Sequence, residues 1–214
     1  MAKLFAYGCS YTYGHGLEDC IIGEFEPGHE PSKLGYASIL GQKLNFSEVI
    51  NHSRPGTSNK WITHAINVTA DHISKNDSVI IQWTFVDRST ILRRGCDVNL
   101  NKYDALGTWM AGQKGTLSSV YYKHLHDPVD HDQVTTWYIK FVDLLLKNQG
   151  ITKILHTSPP KSKIKKFLPD SITWWEENIS MYRVDTAQDK NHPGPKSQEL
   201  FANRILEEYG DYLK

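Results

Sequence analysis

The sequence has few cysteines, no surplus of charge and no long apolar run, and each shortage excludes something. Cysteine occurs three times in 214 residues, at Cys9, Cys20 and Cys96. An odd and widely spaced set does not make a disulfide framework, and reduced thiols fit a cytoplasmic protein. Lys and Arg together number 24, as do Asp and Glu, so the formal net charge is zero. Neutralising phosphates needs a basic surplus or a basic patch, which argues against a general nucleic-acid binder. The one dense basic run, Lys161, Lys163, Lys165 and Lys166, reads as a solvated loop. No stretch approaches the ~20 apolar residues that a membrane helix needs. The opening MAKLFAYGCS carries no signal-peptide core. The expectation is a cytoplasmic chain that engages neither membrane nor nucleic acid.

What is present is a globular composition. Hydrophobic residues make up 39%, aromatics 11% and charged residues 22%, which excludes disorder, collagen-like repeats and coiled coil. One compact domain of this length removes roughly 70% of its unfolded surface from water. Short β-like runs alternate with amphipathic stretches. Strands are expected at Lys3–Tyr7, Glu48–Asn51, Ser78–Trp83 and Thr152–His156, with a fifth at Ile179–Val184. Helices are expected over Tyr36–Leu44, from a Ser58 cap through Ile73, over Gln133–Asn148, and from Pro193-Gly194-Pro195 to the C-terminus. Ser78–Trp83 is nearly continuous in β-branched and apolar residues, the mark of a strand buried on both faces. Strand–helix alternation with right-handed crossovers predicts an α/β fold: an all-parallel sheet, order 2-1-3-4-5, covered by helices on both faces. The stretch Phe85–Asp132 fits no periodicity. Its length and its place after a central strand predict a loop that covers a ligand site.

Chemistry gathers at two places far apart in the chain. Strand one runs directly into Gly8-Cys9-Ser10. A Ser at that point sits at the carboxyl edge of the sheet, and Gly8 permits the sharp turn that exposes its hydroxyl. On a strand end Cys9 should point the opposite way, into the core. Asp189-Lys190-Asn191-His192-Pro193 precedes the last helix. An Asp and a His three residues apart can share one side of a turn, with the Asp holding one imidazole nitrogen while the other faces a nucleophile. Ser after the first strand together with Asp-x-x-His before the last helix is a rare combination.

On these residues the chain resembles the SGNH hydrolases, also called GDSL-type esterases. The family's Gly-x-Ser block is matched by Gly8-Cys9-Ser10, its Asp-x-x-His-Pro block by Asp189 to Pro193, and its second block by Asn51-His52-Ser53-Arg54-Pro55-Gly56. The blocks fall in family order and span nearly the whole chain. The resemblance implies a flavodoxin-like three-layer α/β/α sandwich over residues 1–214, with an active-site insertion at about 85–132. It also implies a serine esterase needing no metal or organic cofactor. Ser10 would be the nucleophile, His192 the base and Asp189 its orienting acid. The oxyanion would be held at Ser10, Gly56 and a third donor. That third donor is where the sequence departs: the family's Gly-x-Asn-Asp is replaced by Gln82-Trp83-Thr84-Phe85-Val86-Asp87-Arg88, with no Asn. Thr84 falls near the family Gly and Val86 near the family Asn, so the vacant role goes to the Thr84 hydroxyl, or to the Gln82 amide if the turn is one step tighter. Trp83 and Arg88 are candidate substrate-binding residues, Arg88 for an anionic group. The implied substrate is an acylated small molecule or glycan.

Other groupings compete. Six potential ligands, His124, His126, Asp127, Asp130, His131 and Asp132, fall within nine residues. They read either as a polar loop or as a metal site. Trp83, Trp109, Trp174 and Trp175 read either as core aromatics or as stacking platforms for a sugar. A domain of the same fold that binds carbohydrate or protein without catalysis is the alternative to the esterase.

Overall fold

A computed structural model describes residues 2–22, 26–92 and 103–214; Cys96 lies outside them. The central sheet has five strands, β1 (Leu4–Tyr7), β2 (Val49–Asn51), β3 (Ser78–Gln82), β4 (Lys153–Thr157) and β5 (Trp174–Trp175), all parallel and in the order 2-1-3-4-5. Among the described residues six α-helices accompany it: α1 (Ser10–Tyr13), α2 (Tyr36–Lys43), α3 (Asn59–Thr69), α4 (Leu117–His124), α5 (Pro128–Asn148) and α6 (Pro195–Leu213). This is the expected α/β architecture.

The pleat explains the layers. Successive side chains of a strand point to opposite faces. Phe5 and Tyr7 therefore join Val79, Ile81, Trp61, Ile66 and Val142 beneath α3 and α5. Leu4 and Ala6 join Ile80, Leu155, Leu40, Phe201 and Ile205 beneath α2 and α6. Every residue of β1 and β3 is buried, which is why their sequences read as continuous apolar runs.

The fifth strand is misplaced in the sequence reading. Ile179–Tyr182 is a 3-10 turn, set by Asn178, whose side chain accepts from the Ser180 N–H at 3.1 Å. The edge strand is Trp174–Trp175 instead, in register with His156 and Thr157. Two consecutive aromatics there fill the core: both are buried, and Trp175 stacks on Phe201 at 5.3 Å. Neither can serve as a sugar platform. Ser58 does stand at the start of α3, but its hydroxyl donates to Thr90 Oγ1 at 2.8 Å and does not cap the helix. α5 starts at Pro128, five residues before the expected Gln133. Its cap is Asp127, which accepts from the N–H groups of Val129 and Asp130.

One buried polar chain crosses the α5 layer. Trp83 Nε1 donates to His156 Nδ1 at 3.1 Å. An indole N–H is a donor only, so the His156 proton must sit on Nε2. That nitrogen faces Asp143 Oδ1 at 3.5 Å, and the other carboxylate oxygen pairs with Lys147 at 2.8 Å. Burial pushes His156 below its ordinary pKa and keeps it neutral, against the pull of Asp143. Replacing His156 with Ala strands the buried indole N–H and leaves a cavity beside Asp143, which keeps Lys147. The expected loss is about 3 kcal/mol or more of folding stability, read as a lower urea midpoint with an unchanged slope.

Candidate active site

β1 ends at Tyr7, and the chain turns through Gly8 and Cys9 so that Ser10 opens α1 at the carboxyl edge of the sheet. Glycine is required at position 8, because a Cβ would fall 2.0 Å from Thr12 Oγ1. The turn is held from below and from the side. Thr12 donates its hydroxyl to Gln82 Oε1 at 2.8 Å, and Asn51 Nδ2 donates to the Thr12 carbonyl at 2.9 Å. Gln82 is buried at the end of β3, and its Oε1 supports the turn. Cys9 is buried, as its place on the strand end predicts.

The second element is the turn before α6. Asp189 Oδ1 accepts from the N–H groups of Asn191 at 3.0 Å and His192 at 3.1 Å, while Oδ2 accepts from His192 Nδ1. The Nδ1 proton fixes the tautomer and leaves Nε2 with a free lone pair, the form a general base needs. This turn is fastened to the loop after α1: the Gln188 N–H donates to the Gly16 carbonyl at 2.9 Å. The His192 ring then lies edge-on to Tyr11, with centroids 5.6 Å apart, and is stacked by His15 at 4.6 Å. The Ser10 turn and the turn before α6 thus meet at one edge. Ser10 Oγ makes no hydrogen bond to the ring among the described residues; such bonds often tighten only in the substrate complex.

Burial pushes His192 below its ordinary pKa; Asp189 opposes this, and His15 and Arg88 reinforce it. Burial alone would raise Asp189, but the His192 ring and the two backbone N–H groups hold it below the ordinary carboxylate range. A neutral imidazole beside a charged carboxylate is therefore the resting state near neutral pH. His15, which no sequence motif singled out, is the main addition the structure makes here. Gly16 is another. A Cβ there would meet the Asp189 carboxylate at 2.7 Å, at a φ of +86°, where a side chain is disfavoured in any case. Gly16→Ala should displace Asp189 from the His192 ring while the protein stays folded, read as a shifted His192 imidazole resonance by NMR beside an unchanged circular-dichroism spectrum.

The glycine of the second block sits in a loop tied to the Ser10 turn. The Arg54 N–H donates to the Gly8 carbonyl at 3.3 Å, and Gly56 has a φ of +74°. Thr84 is buried and clamped by Asn59: its N–H donates to Asn59 Oδ1 at 2.8 Å, and its carbonyl accepts from Asn59 Nδ2 at 3.1 Å. Only its hydroxyl proton remains to be offered, since Thr84 Oγ1 itself accepts from Arg88 Nη1 at 3.2 Å. Asn59 opens α3, and nothing local in the sequence signals that it would grip the turn after β3. Trp83 is wholly buried and bonded to His156. It packs on the α3–α5 face of the sheet and cannot touch a substrate, which corrects the expectation for it. Arg88 is half-buried, and its guanidinium lies over the rings of Phe85 at 4.6 Å and Trp109 at 4.9 Å.

The stretch after β3 has more structure than its lack of periodicity suggests. It holds an antiparallel hairpin, Ser89–Leu92 with Tyr103–Leu106, then α4 and the first turn of α5. A Cβ on Gly56 would be 3.8 Å from that of Ala105, so the hairpin packs against the second block. The histidine cluster is structural. His131 gives its Nδ1 proton to the Val86 carbonyl at 2.7 Å, so its Nε2 accepts from the Tyr121 hydroxyl at 2.7 Å. With both nitrogens engaged it offers no ligand. Among the described residues the His, Cys and carboxylate atoms close enough to share an ion are those of His15, Asp189 and His192, within 4.8 Å of one another.

Neither a protein-family model nor a curated protein matches the sequence. Solved structures do match in fold. A G-D-S-L family lipolytic protein from Desulfitobacterium hafniense aligns at TM-score 0.56 and 13% identity, covering 97% of this chain and 99% of its own. A lipase/acylhydrolase from Enterococcus faecalis aligns at 0.55 and 14%, covering 100% and 98%. A family two carbohydrate esterase from Clostridium thermocellum, solved with cellohexaose, aligns at 0.57 and 14% over 99% of this chain and 64% of its own. The fold is that of the SGNH hydrolases.

Proposed function

We propose that the chain is a serine ester hydrolase of the SGNH type, acting on small acyl esters such as an acetyl group on a glycan or small carrier. The observation that carries this reading is the meeting of the Ser10 turn with the His192–Asp189 pair at the carboxyl edge of that fold. His192 Nε2 takes the Ser10 proton as the hydroxyl attacks the ester carbonyl. Asp189 keeps the proton on Nδ1 and stabilises the imidazolium that forms. The N–H groups of Ser10 and Gly56 and the Thr84 hydroxyl receive the oxyanion. Protonated His192 releases the alcohol, and water activated by the same base frees the acid. Weak third-site stabilisation lowers the rate by on the order of a hundredfold. The insertion, through Phe85 and Trp109, covers the pocket. A carbohydrate esterase among the similar structures was solved with cellohexaose, which supports a glycan carrier. Free thiols at Cys9 and Cys20 support a cytoplasmic setting; among the described residues no helix is long and apolar enough to cross a membrane.

The test is turnover of p-nitrophenyl acetate and labelling by a fluorophosphonate, each with and without EDTA. Labelling at Ser10 and chelator-insensitive turnover are expected. Loss of turnover on chelation would move the chemistry to an ion at His15, Asp189 and His192. A second reading is favoured by the altered third block: a domain that binds carbohydrate or protein without hydrolysis. A similar carbohydrate esterase is described as displaying divergent catalytic and non-catalytic binding functions at its active site. Absence of labelling with intact folding would select it.

A further inference from the structure

Arg88 is an unusual cation. It lies in the turn region after β3, half-buried, with aromatic rings close to its guanidinium, Phe85 at 4.6 Å and Trp109 at 4.9 Å. A guanidinium has five N–H donors. One goes to Thr84 Oγ1 at 3.2 Å. Among the described residues no carboxylate pairs with it, although the chain holds as many acidic as basic residues. Withdrawing a cation from water without a counter-ion is costly. Stacking holds the planar fork in place and leaves donors at its edge for an incoming oxyacid. The location is right for a substrate. Phe85 packs edge-on against Tyr11 at 6.3 Å, and Tyr11 packs edge-on against His192. Arg88 is also close enough to His192 and Tyr11 to act on both electrostatically. It further lines a cavity of about 210 Å³ with Lys60, Ser89, Tyr121, His131 and one carboxylate, Asp130.

We propose that Arg88 determines specificity: the ester hydrolysed at Ser10 carries an anionic oxyacid group, a carboxylate or phosphate, that takes the place of the missing counter-ion. This rests on the hydrolase reading and adds the substrate class to it. The arrangement also accounts for the altered third block. Where the family's Asn would be expected, this chain has a turn whose Thr84 hydroxyl anchors an arginine.

Matched esters test it. 4-Acetoxybenzoate and its methyl ester differ by one charge, and 4-acetoxyphenyl phosphate supplies the phosphate arm. The wild type should favour at least one anionic ester over the neutral one by about tenfold in kcat/KM, with the advantage shrinking as salt rises. The stronger arm tells which oxyacid is taken. Arg88→Met should bring the anionic-to-neutral ratio to one or below, and Arg88→Lys should retain part of it. A wild-type ratio at or below one in both arms overturns the proposal, as does a ratio that Arg88→Met leaves unchanged. Should Arg88→Met fail to fold, the wild-type ratio, its salt dependence and the Lys variant decide. If no ester is turned over at all, the hydrolase reading fails separately. Titration of 4-acetoxybenzoate into Ser10→Ala by calorimetry then decides: binding that Arg88→Lys weakens upholds recognition of the anion, and no binding overturns it.

Discussion

Ser10→Ala should abolish fluorophosphonate labelling and lower kcat on p-nitrophenyl acetate by roughly 10⁴-fold or more, with no loss of stability. The size follows from the proposed role: without the nucleophile no acyl-enzyme forms, and the remaining donors give only the residual catalysis of an oxyanion site. The lack of a stability penalty follows from the structure. Ser10 starts a four-residue helix whose position is fixed by other groups. Thr12 is bonded to Gln82, Asn51 to the Thr12 carbonyl, and the Ser10 carbonyl accepts from the His15 N–H at 3.0 Å whatever its side chain. Removing one hydroxyl leaves all of these in place. A thermal midpoint within about 1 °C of wild type, beside lost labelling, is the expected pair of results. A variant that retains full turnover would move the nucleophile elsewhere and sink the esterase mechanism.

The fold was legible where the sequence acts through periodicity. β1 and β3 are apolar on both faces because both faces are covered, and that pattern survives in six residues of text. The two-residue β5 was not legible. Its signal is a pair of tryptophans, a composition equally suited to a sugar platform, and only the register with His156 and Thr157 makes it a strand. Trp83 misled for a related reason. It stands immediately after β3, beside the turn that replaces the third block, but the pleat turns it toward His156. The Ser10 and Asp189–His192 turns were legible because each is a short local motif. His15, Gly16 and Asn59 were not, since their roles arise only when loops distant in sequence meet: Gly16 with Asp189, His15 with His192, Asn59 with Thr84. The histidine cluster at residues 124–132 shows the converse. Density of ligand-type residues is a sequence property, but the pairing of His131 with a carbonyl and a phenol is a structural one, and it removes the metal reading there.

His192 carries the other large effect, and it is best measured as a pH profile. His192→Ala should cost about as much as Ser10→Ala, because base and nucleophile act as one unit and their losses do not add. Ser10 and His192 replaced together should then be no slower than either alone. On the proposed mechanism the base works only when Nε2 is unprotonated. Burial holds its pKa below the ordinary histidine value, with Asp189 pulling the other way and His15 and Arg88 adding to the depression. The sign follows directly. kcat/KM should be constant through neutral pH and fall only as pH drops through a midpoint below the usual 6.5 or so of histidine. His15→Phe keeps the stacked ring but removes the second imidazole, so the acid limb should move to higher pH. Arg88→Met should shift it the same way. Asp189→Asn removes the acceptor that fixes the tautomer and should lower kcat by roughly 10³- to 10⁴-fold, less than losing the base itself. An acid limb at or above the ordinary histidine value, or one that His15→Phe leaves in place, would mean that the group titrating in the rate is not His192 in this stacked environment.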